Sequence, residues 1–117
     1  MNPSELATKA ALILDSKKAR DIKVIKIEEV SALADYFVIA SGTSNTQVQA
    51  LADNLEMKMK EDGIQPYAVE GYRSNGWILL DYGTVFVHVF TTEARDFYDL
   101  DHLWIDGEEI HIDYPTE

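Results

Sequence analysis

The sequence predicts a single α/β domain, one mixed β-sheet flanked by helices. Three observations lead there. Amphipathic helical stripes and short runs of β-formers follow one another along all 117 residues. Gly83-Thr84 forms a two-residue turn between two strongly apolar strand runs, the mark of a hairpin. No linker, repeat or low-complexity segment divides the chain, so the domain spans residues 1–117. A chain of this length buries a core without disulfides or metals.

The elements follow in order. Asn2, Pro3 and Glu5 supply an N-cap, a proline at the first helical position and an acid at the third. Leu6, Ala7, Ala10, Ile13 and Leu14 continue that helix to about Lys17-Lys18, where positive charge suits its C-terminus. Ile22, Val24, Ile25 and Ile27 predict the first strand, and Tyr36 to Ala40 the second. Ser44 with Gln47 three residues on has capping-box spacing. Val48, Leu51, Ala52, Leu55 and Met59 then form one apolar stripe, which Gly63 stops. Tyr67 to Glu70, Trp77 to Tyr82 and Val85 to Phe90 predict three more strands. Thr91 or Thr92 caps a short helix through Tyr98, and Glu109 to Asp113 suggests an edge strand.

In the hairpin, Trp77, Leu79 and Asp81 point one way, and Ile78, Leu80 and Tyr82 the other. Both faces are largely apolar. Two long helices can cover one face, while a single short helix covers the other only partly. Apolar surface is therefore expected to remain for a partner. The competing expectation is that the tail, Leu100 to Ile112, closes that second face.

Charge constrains the partners. Ten Lys and Arg against 21 Asp and Glu give a net −11. Residues 1–64 carry eight basic and ten acidic side chains; residues 65–117 carry only Arg73 and Arg95 against eleven acids, a net −9. Phosphodiester backbones are bound by Lys and Arg displacing counterions, so direct nucleic-acid binding, DNA included, is not expected. A basic partner is favoured instead; the competing expectation is that the acid serves solubility alone. With no cysteine, disulfides and thiolate metal sites are excluded. No secretory signal and no run of the ~20 apolar residues of a membrane helix is visible, so a soluble, cytoplasmic protein is expected.

The strand–glycine–helix turn at Ser41-Gly42-Thr43-Ser44 raises phosphate chemistry, since free N–H groups at a helix start attract anions. A nucleotidyltransferase would also need two carboxylates on a strand to hold magnesium. The next acids, Asp53 and Glu56, lie on the helix, and Asp99-Leu100-Asp101 follows the last helix with no strand beside it. Neither a P-loop nor a Gly-x-Ser-x-Gly elbow is present. His88, His102 and His111 are too scattered for a metal site. His88, between two valines, reads as a hydrogen-bonded sheet residue. No catalysis, metal or cofactor is expected.

Asp35-Tyr36-Phe37-Val38-Ile39-Ala40-Ser41-Gly42, Ser44 with Gln47, Glu70-Gly71, Trp77 with Leu80-Asp81-Tyr82-Gly83, Val87-His88-Val89-Phe90, and Arg95, Tyr98, Leu100 and Leu103-Trp104 recur together in one order. In these motifs, from about residue 7 to 104, the chain resembles the ribosomal silencing factor family (RsfS, also Iojap or YbeB). The resemblance implies a nucleotidyltransferase-like fold without the catalytic acids. It also implies binding of the large ribosomal subunit through the basic protein L-fourteen at its intersubunit face. The small subunit then cannot join, and translation is repressed when nutrients are limiting. Thr84 departs from the family pattern, which has Asp after the hairpin glycine. The alternatives are a nucleotide-binding enzyme of nucleotidyltransferase type and a dimeric scaffold; a homodimer is expected for the free protein, since two copies can hide the helix-poor apolar sheet face.

For the partner-binding surface the sequence points to Trp77 and Leu79 as apolar anchors and Asp81 as a charged contact, with Tyr82 beside them and Tyr72 at the rim. Tryptophan is enriched among residues that dominate binding energy. The competing expectation is that Trp77 packs inside the domain.

Overall fold

The computed structural model describes residues 1–30, 32–71 and 76–115. Helix α1 (Pro3–Ser16) opens with Asn2 as the expected N-cap, and the cap is a full capping box: the Asn2 side chain accepts from the Glu5 N–H at 2.8 Å, and the Glu5 carboxylate accepts from the Asn2 N–H. Strands β1 (Arg20–Lys26) and β2 (Tyr36–Gly42) follow, then α2 (Asn45–Glu61), β3 (Ala68–Glu70), β4 (Trp77–Asp81) and β5 (Val85–Thr91). Two short helices, α3 (Thr92–Tyr98) and α4 (Leu100–Leu103), precede the edge strand β6 (Glu108–Ile110). Ile64 N–H donates to the Met59 carbonyl and Gly63 N–H to that of Lys60, so α2 ends in a Schellman turn with Gly63 at φ +76°.

The described strands form a mixed sheet in the order β3-β4-β5-β2-β1-β6. Only the β2–β5 pair is parallel, with Tyr36 opposite Val85 and Gly42 opposite Thr91. β2 lies inside the sheet and is covered on both sides, which is why all seven of its residues are buried.

Helices α1 and α2 cover one face. Leu6, Ala10, Leu14, Leu51, Leu55 and Met59 meet Val38, Ile78, Leu80, Val87 and Val89 there. The opposite face carries Ile25, Phe37, Ile39 and Phe90, against which Ala94, Trp77, Phe86, Leu100 and Trp104 pack.

Several boundaries differ from the sequence expectation. β1 starts two residues earlier, because Arg20 pairs with Ser41 across a bulge before Lys23. The last strand is shorter than Glu109 to Asp113 and shifted, ending at Ile110 where its pairing with Val24 ends. Helix α4 was not anticipated; Asp99, left-handed at φ +52°, ends α3 and opens it. The tail does not simply close the second face. Leu100 and Trp104 pack on it, but Ile110, Ile112 and Tyr114 pack against the helix-side core instead.

Candidate functional site

The open face of the sheet gathers the candidate residues. β4 lies between β3 and β5, and its alternate residues Trp77, Leu79 and Asp81 stand on the side away from α1 and α2, half-buried. Cross-strand register sets their neighbours: Phe90 opposite Trp77, His88 opposite Leu79 and Phe86 opposite Asp81. On β3, Glu70 lies opposite Leu79 and Ala68 opposite Asp81. An aromatic, an aliphatic and an acid thus stand in one row, spaced about 7 Å apart.

Trp77 is seated on rings. Its centroid is 5.0 Å from that of Phe90 and 4.7 Å from that of Tyr98, and its indole N–H donates to Nδ1 of His88 at 3.2 Å. It is neither a free surface anchor nor a sealed core residue. Phe37 and Phe86 stack at 5.9 Å, and Trp104 meets Phe37 edge-on at 5.1 Å. Exposed Phe97 and half-exposed Tyr98 extend this apolar surface onto α3.

Asp81 has a second task. Its Oδ1 accepts from the Gly83 N–H at 2.7 Å, holding the hairpin turn in which Tyr82 N–H donates to Val85. Gly83 takes φ +84°, and a Cβ there would lie 2.8 Å from the Tyr67 ring. Tyr82 does not join the surface. It is 6% exposed, within the core cluster beneath α2, because its position in the strand alternation sends it to the other side. Burial, and then the nearby Glu56, push its hydroxyl pKa up. Tyr72 lies outside the described residues.

Arg95 anchors the border of the face. It is 9% exposed. Its guanidinium donates to both Asp101 carboxylate oxygens, at 3.1 and 2.9 Å, to Ser41 Oγ at 2.9 Å and to the Asp21 carbonyl. One side chain therefore ties α3 to α4, to the end of β2 and to the β1 bulge. Desolvation would raise the Asp101 pKa, but Arg95 and Lys23 outweigh it and hold the carboxyl below its ordinary value.

The side chains of the strand–turn–helix at Gly42 bond within the domain. Gln47 Oε1 accepts from both the N–H and the hydroxyl of Thr43, at 2.6 and 2.8 Å, rather than from Ser44 as a complete capping box would have it. Ser44 Oγ accepts from the Gln47 N–H at 3.1 Å, and Ser41 Oγ is taken by Arg95. His88 is equally committed: burial pushes its pKa down to about 4, leaving it a neutral hydrogen-bond acceptor rather than a base near pH 7. Among the described residues no group of three or more His, Asp or Glu could hold a metal ion. No helix among them is long and apolar enough to cross a membrane.

The sequence reading missed Phe86, Tyr98 and Trp104 as parts of this face. The signal for Phe86 was available, since a two-residue hairpin loop pairs Asp81 with residue 86. Tyr98 and Trp104 reach the face only through the turn at Asp99, which no sequence pattern announces.

Comparison with known proteins places this geometry in a family. The pattern described as "Ribosomal silencing factor during starvation" matches residues 1–117. The Ribosomal silencing factor RsfS of Bacillus subtilis is 40% identical over 114 residues, 97% of each chain. Its namesake from Halalkalibacterium halodurans is 37% identical over 113 residues, again 97% of each. A crystal structure from Chromobacterium violaceum superposes with a TM-score of 0.86 at 34% identity, covering 98% of this chain and 95% of the other. On a match of this length in both sequence and fold, the chain belongs to the family of ribosomal silencing factors.

Proposed function

We propose that this protein docks on the large ribosomal subunit through its open sheet face and prevents the small subunit from joining. The observation that carries this reading is the row Trp77, Leu79 and Asp81 on a half-covered apolar face, in a chain whose residues 65–117 carry a net −9. The names of its relatives agree with a ribosomal target. An acidic surface gains nothing from ribosomal RNA, so its target is a basic protein of the subunit, L-fourteen at the intersubunit face. The protein acts by occupying that site, as a cytoplasmic repressor without catalysis or cofactor. The nucleotidyltransferase likeness is then one of architecture, with the side chains of the Gly42 turn already engaged within the domain. The free protein hides the same face in a homodimer, so scattering mass should be twice the 13.2 kDa of one chain.

Cosedimentation with purified large subunits, alongside subunit joining followed by light scattering, tests the reading. Joining should fall as protein is added. Trp77→Ala should weaken binding about thirtyfold, the ~2 kcal/mol of a dominant interface residue. Trp77 also packs on Phe90 and Tyr98, so Leu79→Ala serves as a second truncation with less effect on the fold. Asp81→Lys should weaken binding by charge reversal, and Asp81→Asn less so while keeping the acceptor for Gly83. Undiminished joining at saturating protein overturns the proposal. Folded variants that bind as tightly as the parent move the site elsewhere.

A further inference from the structure

His88 stands at the centre of the open face, 4% exposed, with Phe37, Phe90 and Trp77 around it at centroid distances of 4.7, 6.1 and 5.9 Å. An indole N–H can only donate, so the 3.2 Å bond from Trp77 makes Nδ1 the unprotonated nitrogen and puts the neutral ring's proton on Nε2. Nε2 is buried and has no hydrogen-bond partner among the described residues. A buried donor without an acceptor opposes folding, and a phenyl ring would fill this space without it. What a phenyl ring cannot supply is the acceptor for Trp77.

That acceptor matters because ring contacts alone leave the indole's orientation open. Stacking on Phe90 and Tyr98 tolerates a half-turn about the Cβ–Cγ bond, since either flip presents a π face to them. A hydrogen bond to one ring nitrogen does not tolerate it. We infer that His88 is a positioning residue for docking: it fixes the Trp77 indole in one orientation, so that the partner meets a pre-formed anchor. Fixing a side chain before binding removes part of the ordering cost of association. The inference rests on the docking reading above, and its test separates the two.

His88→Phe keeps an aromatic ring and removes the acceptor. His88→Asn restores an acceptor close to the position of Nδ1. Trp77→Phe removes the donor and leaves His88 in place, so the contact can be deleted from either side should one variant fold poorly. In a Trp104→Phe background, at a concentration where light scattering gives the monomer mass, the exchange rate of the single indole N–H, followed by NMR, reads the contact without any ribosome. It should be slow in the parent and in His88→Asn, and at least tenfold faster in His88→Phe. Affinity for purified large subunits should fall about tenfold in His88→Phe and in Trp77→Phe, with no further loss in the double variant, and recover to within threefold in His88→Asn. Equal exchange in parent and His88→Phe overturns the contact, whatever the subunits do. Unchanged affinity in a folded His88→Phe, or additive losses in the double variant, overturns the positioning role. A parent that binds no large subunits overturns the docking reading and this role with it, while the exchange result still decides the contact.

Discussion

Lowering the pH should unfold this protein partly through His88. Desolvation holds its folded pKa at about 4, against 6.5 for an exposed histidine. The folded value is the depressed one, so the unfolded chain takes up the proton more readily. The contribution of His88 to stability is therefore complete above pH 6.5, declines as the pH falls towards 4, and is constant below that. A gap of about 2.5 pKa units corresponds to about 3 kcal/mol at 1.36 kcal/mol per unit. Domains of this size have about 5–15 kcal/mol in total, so the loss is a large share. Many carboxylates begin to titrate in the same range, so the measurement is a difference. Urea unfolding of parent and His88→Phe, followed by circular dichroism at pH 7.5, 6.5, 5.5, 4.5 and 4.0, isolates the histidine because every other group is common to both. The parent should lose about 3 kcal/mol more than the variant between pH 7.5 and 4.0. Parallel stability curves would refute the reasoning: His88 would then titrate as an exposed histidine, and the face around it would be open to water.

Three further outcomes follow from the same contacts. Arg95→Met should cost about 1–3 kcal/mol in urea unfolding, because it leaves the buried Ser41 hydroxyl without its donor and removes the bonds that join α3 to α4, β1 and β2, while Lys23 still pairs with Asp101. The depressed Asp101 pKa adds an acid limit. Its stabilisation is present above the ordinary carboxylate pKa and lost as the pH falls through the folded value, so the stability difference between parent and Asp101→Asn should shrink below about pH 4. Gly83→Ala should lower the melting temperature through a loss of at least ~1–2 kcal/mol, since an alanine at φ +84° is strained and its Cβ meets Tyr67.

The sequence by itself determined the elements other than α4 and the parity of their faces, because those depend on interactions between residues two to four apart. The Asn2 and Ser44 caps, the Schellman turn at Gly63, the hairpin at Gly83-Thr84 and the opposition of Trp77, Leu79 and Asp81 to Ile78, Leu80 and Tyr82 were all legible on that basis. The family motifs were legible too, and they carried the functional reading further than the chemistry of any single residue. Tertiary structure decided what lies across the sheet. The parallel pairing of β2 with β5 brings Ile39 beside His88 across 49 positions of sequence, a register that no local pattern encodes. Arg95 finds Ser41 and Asp21 from 54 and 74 residues away, and those bonds place α3 and α4 over one half of the open face. The tail was free by its apolar pattern to cover either side. It divides because β6 pairs with β1 at the sheet edge and sends Ile110 to the helix side, while Trp104 is left on Phe37. How much of Trp77 stays available to a partner is set by Phe90 across the hairpin and by Tyr98 of α3, and so by contacts that form only once the sheet and α3 have assembled.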